Sequence, residues 1–126
     1  IAVGHVSEEQ KKVYDTVLKA QLACCEQAKA GMRGCDVDKI ARDIINEAGY
    51  QGCFGHGLGH AVGIEIHENP RYSPTCESVV KAGMMMTIEP GIYLEGKFGV
   101  RIEDTIIVRD GGCEILGKSD KNLIIL

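Results

Sequence analysis

The sequence lacks three patterns that would each indicate a class of protein. It has no run of lysines and arginines, and its net charge of −4 gives no electrostatic reason to expect a nucleic-acid partner. No apolar stretch approaches the roughly 18 to 20 residues that a membrane-spanning helix needs, and none resembles a signal peptide. Internal repeats and low-complexity segments are absent too. We therefore expect neither nucleic acid nor a membrane as a partner.

The composition is typical of a single globular domain spanning residues 1–126. Hydrophobic residues make up 44% of the chain and charged residues 25%, which is ordinary for such a domain. The six cysteines include the adjacent pair Cys24 and Cys25 but no C-x-x-C motif. We therefore expect free thiols and a cytoplasmic location. Because the chain begins with Ile1 and not with Met, we also expect it to be part of a longer protein.

Two helices are predicted before Tyr50. The sequence SEEQ at Ser7–Gln10 has the form of a capping box, and apolar residues follow it at three- and four-residue steps as far as Gly31. A second helix is predicted to begin with Asp36 as its cap and to end at Gly49.

The character of the sequence changes at Gly52. Five glycines between Gly52 and Gly63 exclude a stable helix and predict a loop that leads into a strand. Further strands are predicted at four places, with a turn at the sequence DGG: Met84–Ile88, Gly91–Leu94, Val100–Val108 and Leu123–Leu126. Helices followed by strands predict the α+β class, with two helices packed on a mainly antiparallel sheet.

Three of the four histidines lie in the stretch GHGLGHAVGIEIHENP: His56, His60 and His67. The glycines argue against a helix, so these residues do not form the H-E-x-x-H zinc motif. Any one of them could be a surface or hydrogen-bonded imidazole without a role, and we interpret His5 in that way. Three histidines at a glycine-rich entry to a strand indicate a functional site.

Two carboxylates lie where carboxylates are unexpected. Glu89 ends an apolar strand in MMMTIEPGIY, and Glu103 lies inside another in VRIEDTIIV. A buried carboxylate needs a partner because an unpaired one is costly, although Glu103 could instead point to solvent. One imidazole and two carboxylates on converging strands predict an oxygen-rich site for Mn²⁺, Mg²⁺ or Co²⁺, not a sulfur-bound structural zinc.

These motifs, in this order and separation, closely resemble the metal-dependent aminopeptidases of the pita-bread (creatinase/aminopeptidase) fold. The stretches HGLGHAVGIEIHENP, GMMMTIEPGIY and GVRIEDTIIV are most similar to the proline-specific branch, which comprises Xaa-Pro aminopeptidase and Xaa-Pro dipeptidase. The resemblance covers essentially the whole chain. It implies a metal-dependent exopeptidase that removes the N-terminal residue preceding proline, acting on a peptide with proline at the second position.

The resemblance also implies a role for each matching residue. It implies three metal ligands: His60, Glu89 and Glu103, of which Glu103 would bridge two divalent ions. His56 and His67 would be catalytic imidazoles that bind substrate or stabilise developing charge, and Glu89 would also assist proton transfer. Arg101 would orient a carboxylate. Mn²⁺ is the expected ion, Co²⁺ or Zn²⁺ are alternatives, and a homodimer is left open.

Two ligands of the family's five-ligand dinuclear centre have no counterpart here. They are aspartates that would precede the first residues of this chain, and the aspartates present are interpreted as a helix cap or as solvent-facing helix residues: Asp15, Asp36, Asp38 and Asp43. We therefore expect the chain to be the C-terminal half of the pita-bread catalytic domain and to be inactive alone. The alternative is a non-catalytic pita-bread module that binds peptides or proteins.

Overall fold

A computed structural model describes all residues, 1–126. It contains two helices, α1 (Glu8–Gln27) and α2 (Gly34–Glu47). Seven strands follow: β1 (Gly59–Ala61), β2 (Glu68–Tyr72), β3 (Met85–Ile88), β4 (Gly91–Leu94), β5 (Phe98–Arg101), β6 (Asp104–Val108) and β7 (Cys113–Ile115). The predicted α+β class and the antiparallel sheet are confirmed.

The start of α1 is the predicted one, and the start of α2 is not. The Ser7 hydroxyl accepts from the backbone of Gln10, whose side chain accepts from the backbone of Ser7, so the capping box is confirmed. Helix α2 begins at Gly34, and Asp36 lies in its first turn rather than at its cap. An aspartate cap is not needed because Gly34 N and Cys35 N already donate to carbonyls of the 76–78 segment, at 3.0 and 2.7 Å.

Five strands form one antiparallel sheet in the order β2-β1-β3-β6-β7, and β4 pairs with β5 in a separate hairpin. The prediction of one strand over Val100–Val108 is wrong, because the chain leaves the hairpin at Arg101 and enters the larger sheet at Asp104. No strand forms at Leu123–Leu126, where Ile125 makes a single bridge to Ala2. Strand β2 was not predicted. It contains Pro70, which is tolerated because β2 is an edge strand.

The core lies between the helices and the sheet. Its largest fully buried apolar side chains include Ile45 from α2 and Met86, Ile88 and Ile106 from β3 and β6. Burial of one such side chain contributes about 1.5–3 kcal/mol. Neither helix combines the length and the apolar character that crossing a bilayer would require.

All six cysteines are free thiols, and Cys24 and Cys25 are buried against the core. Raising the pH is expected to lower the free energy of unfolding, because burial raises the pKa of both thiols from 9.0 to about 12. Between pH 9.0 and about 12 the unfolded chain releases protons that the folded chain retains. The unfolded state therefore gains up to about 1.4 kcal/mol per thiol for each pH unit.

Urea unfolding across this pH range measures the effect. Cys24→Ala should remove part of the alkaline loss of stability, whereas Cys35→Ala, at a thiol that is not buried, is the control. An alkaline slope that is the same in Cys24→Ala and in the unmodified chain would contradict the assignment.

Candidate functional site

His60 is held inside the sheet by its backbone. It lies in β1, its side chain is 10% exposed, and its N–H donates to Thr87 Oγ1 on β3 at 3.0 Å. Gly59 permits this close approach, since a Cβ at that position would lie 2.0 Å from the carbonyl oxygen of Thr87. The glycine that argued against a helix is therefore the residue that allows β1 to lie beside β3.

Glu89 follows β3 directly and turns inward. Its side chain is 12% exposed, and its backbone N–H donates to the carbonyl of Leu58 at 2.8 Å. The Thr87 hydroxyl donates to Glu89 Oε1 at 3.0 Å, and Arg101 Nη1 lies 3.8 Å from Oε2. The Thr87 hydroxyl thus fixes one carboxylate oxygen, and the orienting role expected of Arg101 stays a prediction.

The His60 imidazole faces the Glu89 carboxylate. His60 Nδ1 lies 3.0 Å from the carbonyl oxygen of Ala61, which can only accept, so we assign the ring hydrogen to Nδ1. Nε2 then presents a lone pair 3.2 Å from Glu89 Oε1, which is also an acceptor. Two such atoms at this separation need a proton or a cation between them. An imidazole nitrogen and a carboxylate oxygen are the donors of a divalent-metal site, so this pair fits part of one.

Glu103 does not join the pair directly. Its side chain is exposed and has no hydrogen-bond or ion-pair partner, and no three His, Cys, Asp or Glu side chains of the chain are grouped to hold a metal ion. The sheet nevertheless places the two glutamates at the same strand ends, because Ile88 pairs with Asp104, Glu89 follows the first and Glu103 precedes the second. Its role as a ligand stays a prediction.

The other two histidines of this stretch make different contacts. The exposed ring of His67 packs edge-on against that of His60, with the ring centroids 4.5 Å apart. His56 Nδ1 lies 2.8 Å from the carbonyl oxygen of Gly57, and its Nε2 lies 2.8 Å from the Tyr93 hydroxyl. The structure thus brings His67 next to His60 and connects His56 to the β4–β5 hairpin.

Three residues that organise the site were not singled out in the sequence. Thr87 links His60 to Glu89, and its only sequence signal is a hydroxyl two residues before Glu89 in an apolar strand. Tyr93 contacts His56 from the conspicuous stretch EPGIY. Asp38 was interpreted as solvent-facing, which is wrong: its side chain is 1% exposed and pairs with Arg42.

Comparisons with known proteins show which proteins the chain resembles. The sequence pattern of metallopeptidase family M24 matches residues 1–110. A curated relative, the Xaa-Pro dipeptidase of Pyrococcus furiosus, is 49% identical over 124 residues, which is 98% of this chain and 36% of the relative.

Solved structures resemble the chain over its whole length. An Xaa-Pro dipeptidase from Bacillus anthracis superposes with a TM-score of 0.98 at 49% identity, and an X-Pro aminopeptidase from Thermotoga maritima with 0.96 at 43%. Each match covers 100% of this chain and 36% of the other. The chain thus spans about a third of the length of the relatives that it matches.

Proposed function

The chain belongs to metallopeptidase family M24, and on that premise we propose that the protein containing it is a metal-dependent exopeptidase. It would remove the N-terminal residue that precedes proline, since the relatives at 49% identity are named Xaa-Pro dipeptidase. The observation that carries the proposal is the buried contact of His60 Nε2 with Glu89 Oε1 at 3.2 Å. A non-catalytic binding module would have no need of this arrangement.

His60, Glu89 and Glu103 are the residues of this chain that would hold divalent metal. Bound metal would supply Lewis-acid polarisation of the scissile carbonyl and promote ionisation of the attacking water. Thr87 contacts both the backbone N–H of His60 and the carboxylate of Glu89 through one hydroxyl group, and Arg101, with Nη1 3.8 Å from Oε2, would orient the second oxygen of Glu89. Glu89 would also assist proton transfer, since its Oε1 lies 3.2 Å from Nε2 of the proposed ligand His60.

His67 and His56 would act on the substrate. His67 packs edge-on against His60 while the His67 side chain remains exposed. A peptide entering from solvent can therefore reach the His67 ring next to the proposed metal ligands. A hydrogen bond from that ring would stabilise charge that develops on the carbonyl oxygen. His56, bonded to Tyr93, would contact a different part of the substrate.

We further propose that the chain is the C-terminal part of the catalytic domain. Support comes from its coverage of 36% of the relatives and from its donor set, in which two of the three proposed ligands are in contact. Residues outside 1–126 would complete the centre for two ions. Mn²⁺ remains the expected ion, with Co²⁺ or Zn²⁺ as alternatives, and the free thiols support a cytoplasmic location.

Hydrolysis of Xaa-Pro peptides tests the function. The full-length protein, supplied with Mn²⁺, should cleave Met-Pro and leave Met-Ala intact, whereas the chain of 126 residues should cleave neither. A Met-Pro-Ala substrate separates dipeptidase from aminopeptidase preference. Equal cleavage of Met-Pro and Met-Ala would refute the proline specificity, and a metal-loaded full-length protein without peptidase activity would favour the binding module.

A further inference from the structure

Asp38 and Arg42 form a buried ion pair on successive turns of α2. Arg42 Nε donates to Asp38 Oδ2 at 2.7 Å, and Arg42 Nη2 donates to Oδ1 at 3.0 Å. The side chain of Asp38 is 1% exposed and that of Arg42 is 25% exposed. The two-point contact fixes the plane of the guanidinium group, which leaves its remaining N–H groups aimed in set directions.

Those N–H groups and the carboxylate bind the segment Phe54–Leu58. Arg42 donates to the carbonyls of Phe54 and His56, at 2.9 Å each, and its guanidinium group lies 4.3 Å from the centre of the Phe54 ring. Asp38 Oδ1 accepts from the N–H of Leu58 at 3.0 Å. Both ends of the segment, and its middle, are therefore bonded to one pair of side chains.

The segment has no strand partner of its own, because β1 begins only at Gly59. The Leu58 carbonyl accepts from the Glu89 N–H. Asp38 and Arg42 supply the partners of the Leu58 N–H and of the Phe54 and His56 carbonyls. The same segment carries the ring of His56, which packs edge-on against Phe54 with the ring centroids 5.1 Å apart. Leu58 is two residues before His60, so the pair acts directly upstream of the metal-site imidazole.

We propose that Asp38 and Arg42 are positioning residues for the active site. They fix the backbone of Phe54–Leu58 so that His56 carries its hydrogen on Nδ1, towards Gly57 O, and presents Nε2 to Tyr93. They also place the backbone of His60 so that its N–H can donate to Thr87 Oγ1. The inference rests on the proposed function only for the use made of the two imidazoles, since the contacts belong to the folded chain itself.

A purely structural ion pair would predict loss of stability and nothing more. The two roles differ in the state of His56 within molecules that remain folded. A positioning pair keeps the His56 ring in one tautomer and one orientation, whereas a pair that only stabilises α2 leaves the ring unaffected as long as the fold persists.

Long-range ¹H–¹⁵N spectra of the imidazoles of the chain separate these roles, because the two ring nitrogens of a single tautomer give well-separated signals. Arg42→Lys keeps the charge but cannot bond Asp38 and both carbonyls together. The expected result is that the two His56 nitrogen signals move towards each other as the tautomers average. Asp38→Asn, which keeps an oxygen for the Leu58 N–H, should give a smaller change and serves if Arg42→Lys does not fold.

Two control variants complete the design. Val17 is a buried residue of α1 that is distant in sequence from His56. Val17→Ala creates a cavity in the core and should lower the melting temperature while the His56 signals stay separate. Lys39→Gln breaks an exposed ion pair with Asp43 on α2 itself and should change neither the melting temperature nor the His56 signals. Unchanged His56 signals in folded Arg42→Lys, or averaged signals in Val17→Ala as well, would overturn the proposal. Neither outcome depends on peptidase activity, so the proposed function can fail separately.

Discussion

Replacement of His60 or Glu89 by alanine in the full-length protein is expected to reduce Xaa-Pro hydrolysis to background and to release bound metal. Each variant removes one of two donors that face each other at 3.2 Å in a largely buried position. Glu89→Gln should behave in the same way, because the amide keeps an acceptor for the Thr87 hydroxyl but lacks the negative charge. Metal analysis of the purified variants and kcat/KM on Met-Pro are the two measurements.

The imidazoles beside the metal ligands provide the contrast. His56→Ala and His67→Ala should lower the rate by about 10²–10⁴-fold, the range for a lost proton-transfer or hydrogen-bonding group, with metal content near normal. His5→Ala, at an exposed residue near the start of the chain, is the matched control and should be silent. Loss of metal in His56→Ala would show that His56, and not His60, is the histidine ligand.

Glu103 is the proposed ligand that this series tests most sharply. If it bridges two ions, Glu103→Ala should lose metal and activity together. The alternative is that Glu103 is a surface charge that points to solvent, and its side chain is exposed in the structure. Full metal content in Glu103→Ala would establish that Glu103 is a surface charge and would leave His60 and Glu89 as the ligands in this chain.

Replacement of Asp104 by alanine is expected to destabilise the chain by about 3–5 kcal/mol, the range for removing one partner of a buried ion pair. Asp104 begins β6, is 7% exposed, and accepts from Lys121 at 2.7 Å and from Gln21 at 2.6 Å. Its loss leaves the Lys121 ammonium group without its ion-pair partner and the buried Gln21 amide nitrogen with only the Cys25 sulfur as acceptor. Since small domains are stable by only about 5–15 kcal/mol, the effect should be evident in urea unfolding.

Two further variants show whether the loss belongs to the pair. In Asp104→Ala/Lys121→Ala the uncompensated charge is gone, so the double variant should be more stable than the sum of the two single losses predicts. Glu114→Ala breaks an exposed pair with Arg109 and should change the free energy of unfolding by no more than about 0.5 kcal/mol. Additive losses for Asp104 and Lys121 would mean that the two side chains are not coupled.

Local structure was largely predictable from neighbours along the chain. The capping box at Ser7, the end of α2 before Gly49 and the strand at Gly91–Leu94 depend on residues within a few positions of one another. The error at Val100–Val108 has a different origin. An apolar, β-branched run predicts extended backbone throughout, but the partner changes from β4 to β3 in the middle of it, and no local pattern encodes a partner.

In the candidate site, too, some residues could be predicted from the local sequence and others could not. His60 and Glu89 were identified by residue type in unexpected surroundings and Arg101 by the resemblance alone. The structure places His60 Nε2 3.2 Å from one oxygen of Glu89 and Arg101 Nη1 3.8 Å from the other. Thr87 and Asp38 were missed or misread, because a threonine in a strand and an aspartate in a helix are ordinary residues. Their importance comes from the groups that they bond across the fold.

The sequence by itself determined the chemical groups of this protein, the presence of two helices followed by strands, and its resemblance to a proline-specific peptidase. These properties are carried by residue identity, spacing and periodicity, which are local. Only the tertiary structure decided that His60 faces Glu89, that Glu89 and Glu103 end adjacent strands, and that Asp38 and Arg42 bind the segment of His56. The physical reason is that a buried polar group takes whichever partner packing brings to it, and packing depends on residues far apart in the chain.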